Sequence, residues 1–309
     1  MFDVVAIGEA MLEFNQTTPG QPNYLQGFGG DTSNAVIAAA RAGAKTAYLT
    51  RLGQDTFGKS LMDLWRKEAV NVDGIEIDNE RPTGIYFVTH GARGHEFTYR
   101  RAGSAASNLS QDWLEVFAQK PIESSKWLHV SGISLAISVS AADTVLRAMR
   151  LARAAQVKVS FDSNLRLKLW SLDQAKHTIS QAIGLCDLFL PSMDDLTTLT
   201  GLSDADQILD WCHAQGAVTV VLKQGDQGCI VSTSDNRQHI AGRRVTAVDA
   251  TGAGDCFCGN LLARLALGDS LADAADYANT AASLAVQGWG AVAALPDARA
   301  VQACRSASK

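Results

Sequence analysis

The sequence lacks the features of several other protein classes. No apolar run reaches the length of about 18 residues that a membrane-spanning helix needs. The first residues, MFDVVAIGEAML, have no basic segment of the kind found in signal peptides. The net charge of −5 argues against nucleic acid or an anionic membrane as the main partner. We therefore expect a cytoplasmic protein that binds small molecules.

Common catalytic and metal-binding patterns are also missing. The chain contains no HExxH, GxSxG or EF-hand pattern, and its histidines have no ligand-like spacing. Six cysteines are spread along the chain without a CxxC pair, and Cys256 and Cys258 are too close together for a metal pair of the usual spacing. Buried, reduced thiols of a cytosolic protein are the expected state of these cysteines.

Short apolar runs alternate with longer amphipathic patterns along the 309 residues, of which 47% are hydrophobic. Strands are predicted at residues 4–7, 46–52, 127–130, 157–162, 185–190, 218–223 and 229–233. Helices are predicted at residues 34–42, 59–68, 141–155, 172–183, 205–215, 254–267 and 271–287. This alternation is typical of an α/β fold with a parallel sheet covered by helices on both faces. Ligands of such sheets bind beyond the carboxyl ends of the strands.

Two stretches depart from this alternation and are predicted to form a lid. Residues 9–30 are polar and turn-rich, and residues 84–101 have the alternating aromatic pattern of a β-hairpin with its turn at residues 91–94. We predict one small antiparallel sheet projecting from the main domain, although two separate surface loops would also fit. The aromatic side chains of such a sheet would need a cover, so we expect a homodimer through the lid, with a higher oligomer as a further option.

The most informative motif is DATGAGD at residues 249–255, which precedes a helical pattern. Its glycines would deliver free backbone N–H groups at the N-terminus of a helix that starts near Gly254, and such a site binds anions such as phosphate. Asp255 would repel an anion there, so we interpret it as the acceptor of a proton from a nucleophile that attacks the phosphate. The alternative is that Asp255 caps the helix and that the glycines form a tight turn.

A second motif competes with the first. Residues 53–60, GQDTFGKS, match the P-loop pattern GxxxxGK[ST] and lie between a strand-like run and a helix. However, Asp55 would place an acid inside a phosphate cradle, and the preceding run TAYLTRL is a poor central strand. We therefore favour an ordinary turn followed by the start of a helix.

Polar side chains at a third position suit a sugar. Asp31 and Asn34 stand at a predicted helix start after Gly29 and Gly30. Their carboxylate and carboxamide could hold sugar hydroxyls, although Asn34 could also cap the helix. Residues of the predicted lid that could close on the same ligand are Tyr86, Tyr99, Arg100 and Arg101.

Two further strands end in polar residues. Asn164 and Arg166 follow the strand at residues 157–162, which places them in the ligand crevice. The guanidinium fork suits a carboxylate or a phosphate, although a surface salt bridge is an equal alternative for Arg166. The glycine turn at residues 223–228 follows another strand. This turn and the turn at residues 252–254 lie on successive crossovers and could flank one nucleotide.

Together these motifs resemble those of the ribokinase-like, or PfkB, family of carbohydrate kinases. The similarity covers nearly the whole chain and includes GGxxxN at residues 29–34, GxDxxG at 53–58 and DxxGAGD at 249–255. It implies a three-layer α/β/α kinase domain over residues 1–309, with a small β-sheet lid formed by about residues 9–30 and 84–101. It also implies ATP as the phosphoryl donor, Mg²⁺ on the ATP phosphates and Asp255 as the general base.

Within this family the chain is most similar to the kinases of the sugar acid 2-keto-3-deoxygluconate. The segments that carry this similarity are GGDTSN at residues 29–34 and FDSNLRLKLW at residues 161–170, with Tyr86 and the YxR pattern at residues 99–101. The similarity implies that Arg166 meets the carboxylate of the sugar acid. Many family members have an NxxE element near the metal and the phosphates, and the matching residues here are Ser192-Met193-Asp194-Asp195, which leaves the roles of Ser192 and Asp195 open.

The resemblance assigns residues to three groups. Catalysis is assigned to Asp255, Gly252, Ala253 and Gly254. Substrate binding is assigned to Gly30, Asp31, Asn34, Tyr86, Tyr99, Arg101, Arg166 and Asp255. Nucleotide binding is assigned to Asn164, Ser192, Lys223, Gly225, Gly228, Gly252, Gly254 and Asn279. The expected reaction is ATP-dependent phosphorylation of 2-keto-3-deoxygluconate to 2-keto-3-deoxy-6-phosphogluconate. A neutral-sugar kinase resembling fructokinase or ribokinase and a non-catalytic sugar-acid sensor are the alternatives.

Overall fold

The computed structural model describes residues 1–91 and 94–307, which contain thirteen strands, twelve α-helices and three short 3₁₀ or π-helical segments. The strands are β1 (Phe2–Ile7), β2 (Met11–Gln16), β3 (Tyr24–Gly29), β4 (Thr46–Gly53), β5 (Ile75–Asp78), β6 (Ile85–Gly91), β7 (Gly94–Arg100), β8 (Ser125–Ser131), β9 (Lys158–Asp162), β10 (Leu188–Phe189), β11 (Thr219–Lys223), β12 (Gly228–Ser232) and β13 (Arg237–Ala241). The helices are α1 (Asp31–Arg41), α2 (Thr56–Lys67), α3 (Gln111–Trp113), α4 (Gln119–Glu123), α5 (Gly132–Ala136), α6 (Val139–Ala154), α7 (Leu172–Ile183), α8 (Met193–Thr200), α9 (Ala205–Ala214), α10 (Ala253–Ala266), α11 (Leu271–Ala285) and α12 (Ala298–Ser306).

The main sheet has nine strands in the order β13-β12-β11-β10-β9-β8-β1-β4-β5. The strands from β11 to β5 run parallel, whereas β12 and β13 pair antiparallel. The sequence analysis predicted a parallel sheet, and this prediction is wrong at the edge formed by β12 and β13. The segment between β11 and β12 is a single 3₁₀ turn, Gly225–Gln227, which is too short for a parallel crossover. The 223–228 turn is therefore a hairpin connection and not a crossover.

Helices bury both faces of this sheet. Successive side chains of β1 enter opposite cores, Val4 and Ala6 on one face and Val5 and Ile7 on the other, because strand side chains alternate between the two faces. The first core contains side chains of α1, α10 and α11, and the second contains side chains of α6, α7 and α9. Five of the six cysteines are buried in these cores, as predicted. The predicted α/β fold class is confirmed.

A second sheet of four strands has the order β3-β2-β6-β7. Its outer pairs are antiparallel, but β2 and β6 pair parallel, so the expected all-antiparallel arrangement is wrong at the central pair. Its strands come from the two segments that the sequence assigned to a lid. Residues 92–93, at the tip of the predicted turn, lie outside the described residues. None of the helices within the described ranges combines the length and the apolar character that crossing a membrane requires.

Candidate active site

A cavity of 1560 Å³ opens beyond the carboxyl ends of the main strands and is lined on another side by the second sheet. β9 and β11 end at it with Asp162 and Lys223, and α1 and α10 begin at it. The predicted site residues that line it are Gly30, Asp31, Asn34, Tyr86, Tyr99, Arg101, Asn164, Arg166, Ser192, Lys223, Gly225, Gly252, Gly254 and Asp255. The cavity therefore brings together residues from every predicted motif except the GQDTFGKS turn.

Asp255 lies in the first turn of α10, after Gly252 in a left-handed conformation with φ of 76°. The carboxamide Nδ2 of Asn34 donates a hydrogen bond to Asp255 Oδ2 at 2.8 Å. Burial, reinforced by the Asp31 carboxylate, raises the pKa of Asp255 to about 7. A carboxylate with a pKa near the working pH is suited to accept a proton in a reaction.

Asp31 and Asn34 lie in the first turn of α1, which packs against α10. Gly30 precedes them with φ of 121°, and a Cβ there would lie 2.6 Å from the carbonyl oxygen of Glu9, so only glycine allows this close approach. Burial raises the pKa of the Asp31 carboxyl. Asn34 Oδ1 is buried without a hydrogen-bond partner in the described structure. The contact of Asn34 with a ligand hydroxyl stays a prediction.

Asn164 was predicted to bind the nucleotide, but its side chain contacts Asp31. Its Nδ2 donates to Asp31 Oδ2 at 3.0 Å, and its backbone has φ of 27°. Positive φ is uncommon outside glycine and is tolerated best by asparagine and aspartate. Asn164 therefore connects the end of β9 to the start of α1, on the side where the sugar hydroxyls were predicted.

Lys223 at the end of β11 is paired with an acid. Its Nζ lies 2.8 Å from Asp162 Oδ2, and both side chains are largely buried. The Cys258 thiol also donates to Asp162 Oδ2 at 3.3 Å. Burial disfavours the lysine charge, but the Asp162 carboxylate outweighs this effect and raises the pKa of Lys223. The ammonium is thus held in its charged form close to Gly254, whose added Cβ would lie 3.6 Å from it.

Some basic side chains of the cavity are paired with an acid, and others are not. Arg101 is neutralised by the buried carboxylate of Glu9, to which its Nε donates at 2.7 Å. Arg166 is exposed, and its Nη1 donates to the carbonyl oxygen of Leu165 at 2.8 Å. Within residues 1–91 and 94–307, no carboxylate forms a salt bridge with Arg166 or with the nearby Lys168. These two cations are therefore available to an anionic ligand.

Three residues assigned to catalysis or nucleotide binding do not line the cavity, and neither does Arg100 of the predicted lid. The Ala253 amide donates to the Ala250 carbonyl at 3.2 Å inside the glycine turn. Gly228 begins β12, and a Cβ there would lie 2.2 Å from the Ile240 carbonyl oxygen, so strand pairing accounts for this glycine. Asn279 Nδ2 donates to the carbonyl oxygens of Ile240 and Ala241. Both Gly228 and Asn279 thus hold β13 in place behind the cavity wall.

The GQDTFGKS turn has the ordinary capping role that the sequence favoured. Asp55 is the N-cap of α2, and its carboxylate accepts from the amides of Gly58 at 2.7 Å and Thr83 at 2.8 Å. A carboxylate in the middle of the turn excludes phosphate from it. Lys59 is exposed and does not line the cavity.

Ser192 and Asp195 occupy the start of α8. Ser192 Oγ accepts from the Asp195 amide at 3.1 Å, and Asp195 Oδ2 accepts from Ser163 Oγ at 2.7 Å. Both line the cavity together with Asp194. Two carboxylates on one wall suit a hard cation such as Mg²⁺, which proteins bind through one or two carboxylates plus substrate phosphates.

Some cavity residues were not selected from the sequence. Asp162 is the last residue of β9, and Glu9 lies two residues beyond the end of β1. Their position at the carboxyl ends of buried strands is the signal that could have identified them. Trp289 is 68% exposed at the cavity, and no local pattern marks it.

A near-neutral base at a glycine-rich helix start, facing a polar cavity with free cations, suits an enzyme that transfers a phosphoryl group to a hydroxyl. Comparison with known proteins agrees with this class, since the pfkB family carbohydrate kinase pattern matches residues 1–298. The chain is 33% identical to the probable fructokinase-7 of Arabidopsis thaliana, over 99% of this chain and 93% of the relative. It is 32% identical to the 2-dehydro-3-deoxygluconokinase of Dickeya dadantii (strain 3937), over 94% of this chain and 96% of the relative.

A solved structure shares the architecture as well. Fructokinase from Vibrio cholerae O395, in a form with fructose, ADP and calcium ion bound, has a TM-score of 0.86 and 30% identity, and the match covers 97% of this chain and 98% of that one. This chain belongs to the pfkB family of carbohydrate kinases. The family resemblance, the ribokinase-like fold and the kinase activity predicted from the sequence are confirmed.

Proposed function

We propose that this kinase phosphorylates 2-keto-3-deoxygluconate, which is also called 2-dehydro-3-deoxygluconate, at its terminal hydroxyl, with ATP as the donor. The observation that carries this proposal is the exposed guanidinium of Arg166 in the cavity, with no carboxylate in salt-bridge contact in the described structure. A sugar acid supplies the missing carboxylate, and a planar fork of N–H donors binds a carboxylate well. A neutral sugar would leave this charge unused.

The other cations of the cavity support this choice. Arg101 and Lys223 each have a buried acid, Glu9 and Asp162, and are therefore internally neutralised. Lys168 is an exposed cation near Arg166, but an ammonium binds a carboxylate as a point charge without fixing its orientation. Arg166 is thus the side chain best suited to select and orient a sugar acid.

In the proposed reaction, Asp255 takes the proton of the terminal hydroxyl as that oxygen attacks the phosphoryl group. Its near-neutral pKa keeps the proton transfer favourable at physiological pH. The amides of Gly252 and Gly254 stabilise the negative charge on the transferred group. Asp31 and Asn34, beside Asp255, hold sugar hydroxyls. Asn34 also orients the Asp255 carboxylate through its hydrogen bond of 2.8 Å.

We propose that ATP occupies the side of the cavity bordered by Ser192, Lys223, Gly225 and the glycine turn. The charged Lys223 would face its phosphates. Asp194 and Asp195 would hold Mg²⁺, which neutralises phosphate charge when bound. Gly228 and Asn279 would then act indirectly, by fixing β13 and the turn that leads to Gly225.

We further propose that residues 1–309 act as one kinase domain in the cytoplasm, with the second sheet as a lid that also joins two copies. The lid exposes Tyr24 and Leu25, which are 37% and 68% accessible, and a partner could cover them.

A kinase of a neutral sugar is the second candidate, because a fructokinase and a 2-dehydro-3-deoxygluconokinase are similar to this chain at nearly equal identity. ADP release should be measured with 2-keto-3-deoxygluconate, fructose, ribose and a nucleoside. We expect the highest kcat/KM with the sugar acid. A higher kcat/KM with fructose or ribose would replace the proposed substrate, and no turnover with any of the four compounds would mean that the kinase phosphorylates another acceptor.

The lid proposal predicts protection by ligand. Residues 84–101 should be cleaved by a protease more slowly when the sugar acid is bound, because closure over the cavity would shield them from solvent. Limited proteolysis with and without the sugar acid, followed by mass spectrometry of the fragments, would measure this. Equal cleavage rates in both states would show that the segment does not close on the ligand.

A further inference from the structure

Glu13 is a buried acid of the second sheet that the proposed reaction does not use. It lies on β2 and is 6% exposed. Its Oε2 accepts the hydroxyl of Tyr86 at 2.5 Å, and its Oε1 accepts from Asn15 Nδ2 at 3.4 Å. Unlike Glu9, it forms no salt bridge with a basic side chain in the described parts of the chain. Its principal partner is therefore a tyrosine that lines the cavity.

The Tyr86 hydroxyl is held from several sides. Glu13 and Tyr86 are directly opposite each other in the parallel pair of β2 and β6. A Cβ at Gly29 would lie 2.3 Å from the hydroxyl oxygen, so the backbone of β3 approaches it closely. The ring of Tyr99 lies 5.5 Å away, between centroids. This packing leaves the hydroxyl little freedom to turn away from Glu13.

The position of its proton decides what Tyr86 can recognise. A phenol has one proton to donate and lone pairs to accept with. Burial, reinforced by Glu13, raises the pKa of Tyr86, so the phenol stays protonated over the ordinary pH range. Because that proton points to Glu13, the oxygen offers the cavity only a lone pair. A ligand hydroxyl can donate to it, whereas a ligand carboxylate cannot.

We propose that Glu13 is a positioning residue that fixes Tyr86 as an acceptor for one substrate hydroxyl and thereby turns the carboxylate of the substrate toward Arg166. The second part rests on the proposed sugar-acid substrate, whereas the first part applies to any sugar. Arg166 offers only donors, and Tyr86 offers only an acceptor. These two cavity-lining residues therefore have opposite hydrogen-bonding polarity, which favours one orientation of a sugar acid over the reverse.

A double-mutant cycle tests the coupling between the two residues. Glu13→Ala and Tyr86→Phe should each raise KM by about 3- to 30-fold, the range expected for a lost or unsatisfied buried hydrogen bond, with little change in kcat. The double variant should be no worse than Tyr86→Phe, because Glu13 acts through the hydroxyl that phenylalanine lacks. Glu13→Gln keeps an acceptor for the proton and should restore most of the wild-type KM. Glu96→Ala, an exposed acid of the same sheet, is the control and should behave as wild type.

The cycle should be run with whichever sugar the wild type prefers, so that it does not depend on the substrate assignment. Additive effects of Glu13→Ala and Tyr86→Phe, or a Glu13→Gln variant as poor as Glu13→Ala, would overturn the proposal. If Glu13→Ala does not fold, substrates lacking a single hydroxyl provide the same test with Glu13→Gln and Tyr86→Phe. One such substrate should be penalised in wild type and Glu13→Gln but not in Tyr86→Phe, and the absence of any such substrate would refute the acceptor role.

Discussion

Replacing Asp255 with asparagine is expected to lower kcat by about 10²- to 10⁴-fold, the usual contribution of a general base. Asparagine has the same shape and keeps an oxygen that can accept from Asn34, which now donates to Asp255 Oδ2 at 2.8 Å. It cannot take up a proton at physiological pH. Binding of the sugar should therefore stay close to wild type. Calorimetric titration of the sugar, together with kcat from ADP release, would separate these two effects.

The pH profile gives a second signature of the same residue. The pKa of Asp255 is raised from its ordinary value of 3.8 to about 7 by burial and by Asp31. The base must be ionised to work, so kcat/KM of the wild type should fall about tenfold per pH unit below about pH 7. In Asp255→Asn this acidic limb should disappear from the residual activity. A variant that keeps more than about a tenth of the wild-type kcat would remove Asp255 from the catalytic role.

The Asp255→Asn substitution should lower activity without lowering stability at neutral pH. Between about pH 4 and pH 7 the folded state binds a proton at Asp255 that the unfolded state has already released, so this group destabilises the fold as pH rises through that window. Asparagine carries no charge and avoids this cost. The Tm of Asp255→Asn at neutral pH should equal or exceed that of the wild type, and a lower Tm would indicate that Asp255 also supports the fold.

The helices of the α/β core were the most predictable part of the structure. The helix expected at residues 172–183 has those bounds as α7, and the helix expected from Gly254 begins one residue earlier. These segments combine amphipathic periodicity with a recognisable start, the capping Ser171 in α7 and Gly252 in α10. Both signals are local, so they can be detected without knowledge of the rest of the chain.

The elements that were missed have weak local signals. α8, MDDLTTLT, is short, and its threonines have low helix propensity. β13, RQHIA, is an exposed and polar edge strand without apolar alternation. The parallel pairing of β2 with β6 joins segments about seventy residues apart in sequence, and such pairings depend on the tertiary fold rather than on either strand alone.

The site was predictable in its residues and less so in their partners. The glycine turn, Asp31 and Arg166 line one cavity as expected. The hydrogen bond between Asn34 and Asp255 joins residues 221 positions apart, so no local pattern reveals it. The same applies to Glu9, which neutralises Arg101 and so makes the two predicted arginines electrostatically different.

Replacing Arg166 with leucine is expected to reduce kcat/KM for 2-keto-3-deoxygluconate by about 30-fold or more. Removing one member of a desolvated charge pair costs about 2–5 kcal/mol, and the lower end applies because Arg166 is exposed before the ligand binds. About 2 kcal/mol corresponds to roughly 30-fold in affinity. The change should fall mainly on KM for the sugar acid, since the carboxylate is remote from the reacting hydroxyl. The KM for ATP should change little.

The decisive quantity is the ratio of kcat/KM for the sugar acid to kcat/KM for fructose. A neutral sugar does not use the charge, so kcat/KM for fructose should be nearly the same in wild type and Arg166→Leu. The preference for the sugar acid should therefore fall by the same factor as kcat/KM for the sugar acid. Lys168→Met is the matched control, because Lys168 is an exposed cation on the same cavity wall. A general loss of positive potential would lower the preference similarly in both variants, whereas a bidentate contact would affect Arg166→Leu alone. If both variants lose the preference equally, the cavity attracts anions without a specific carboxylate contact. If Arg166→Leu lowers kcat/KM for fructose and for the sugar acid by the same factor, Arg166 contributes to phosphate binding or to the fold. The sugar-acid assignment then loses its main support.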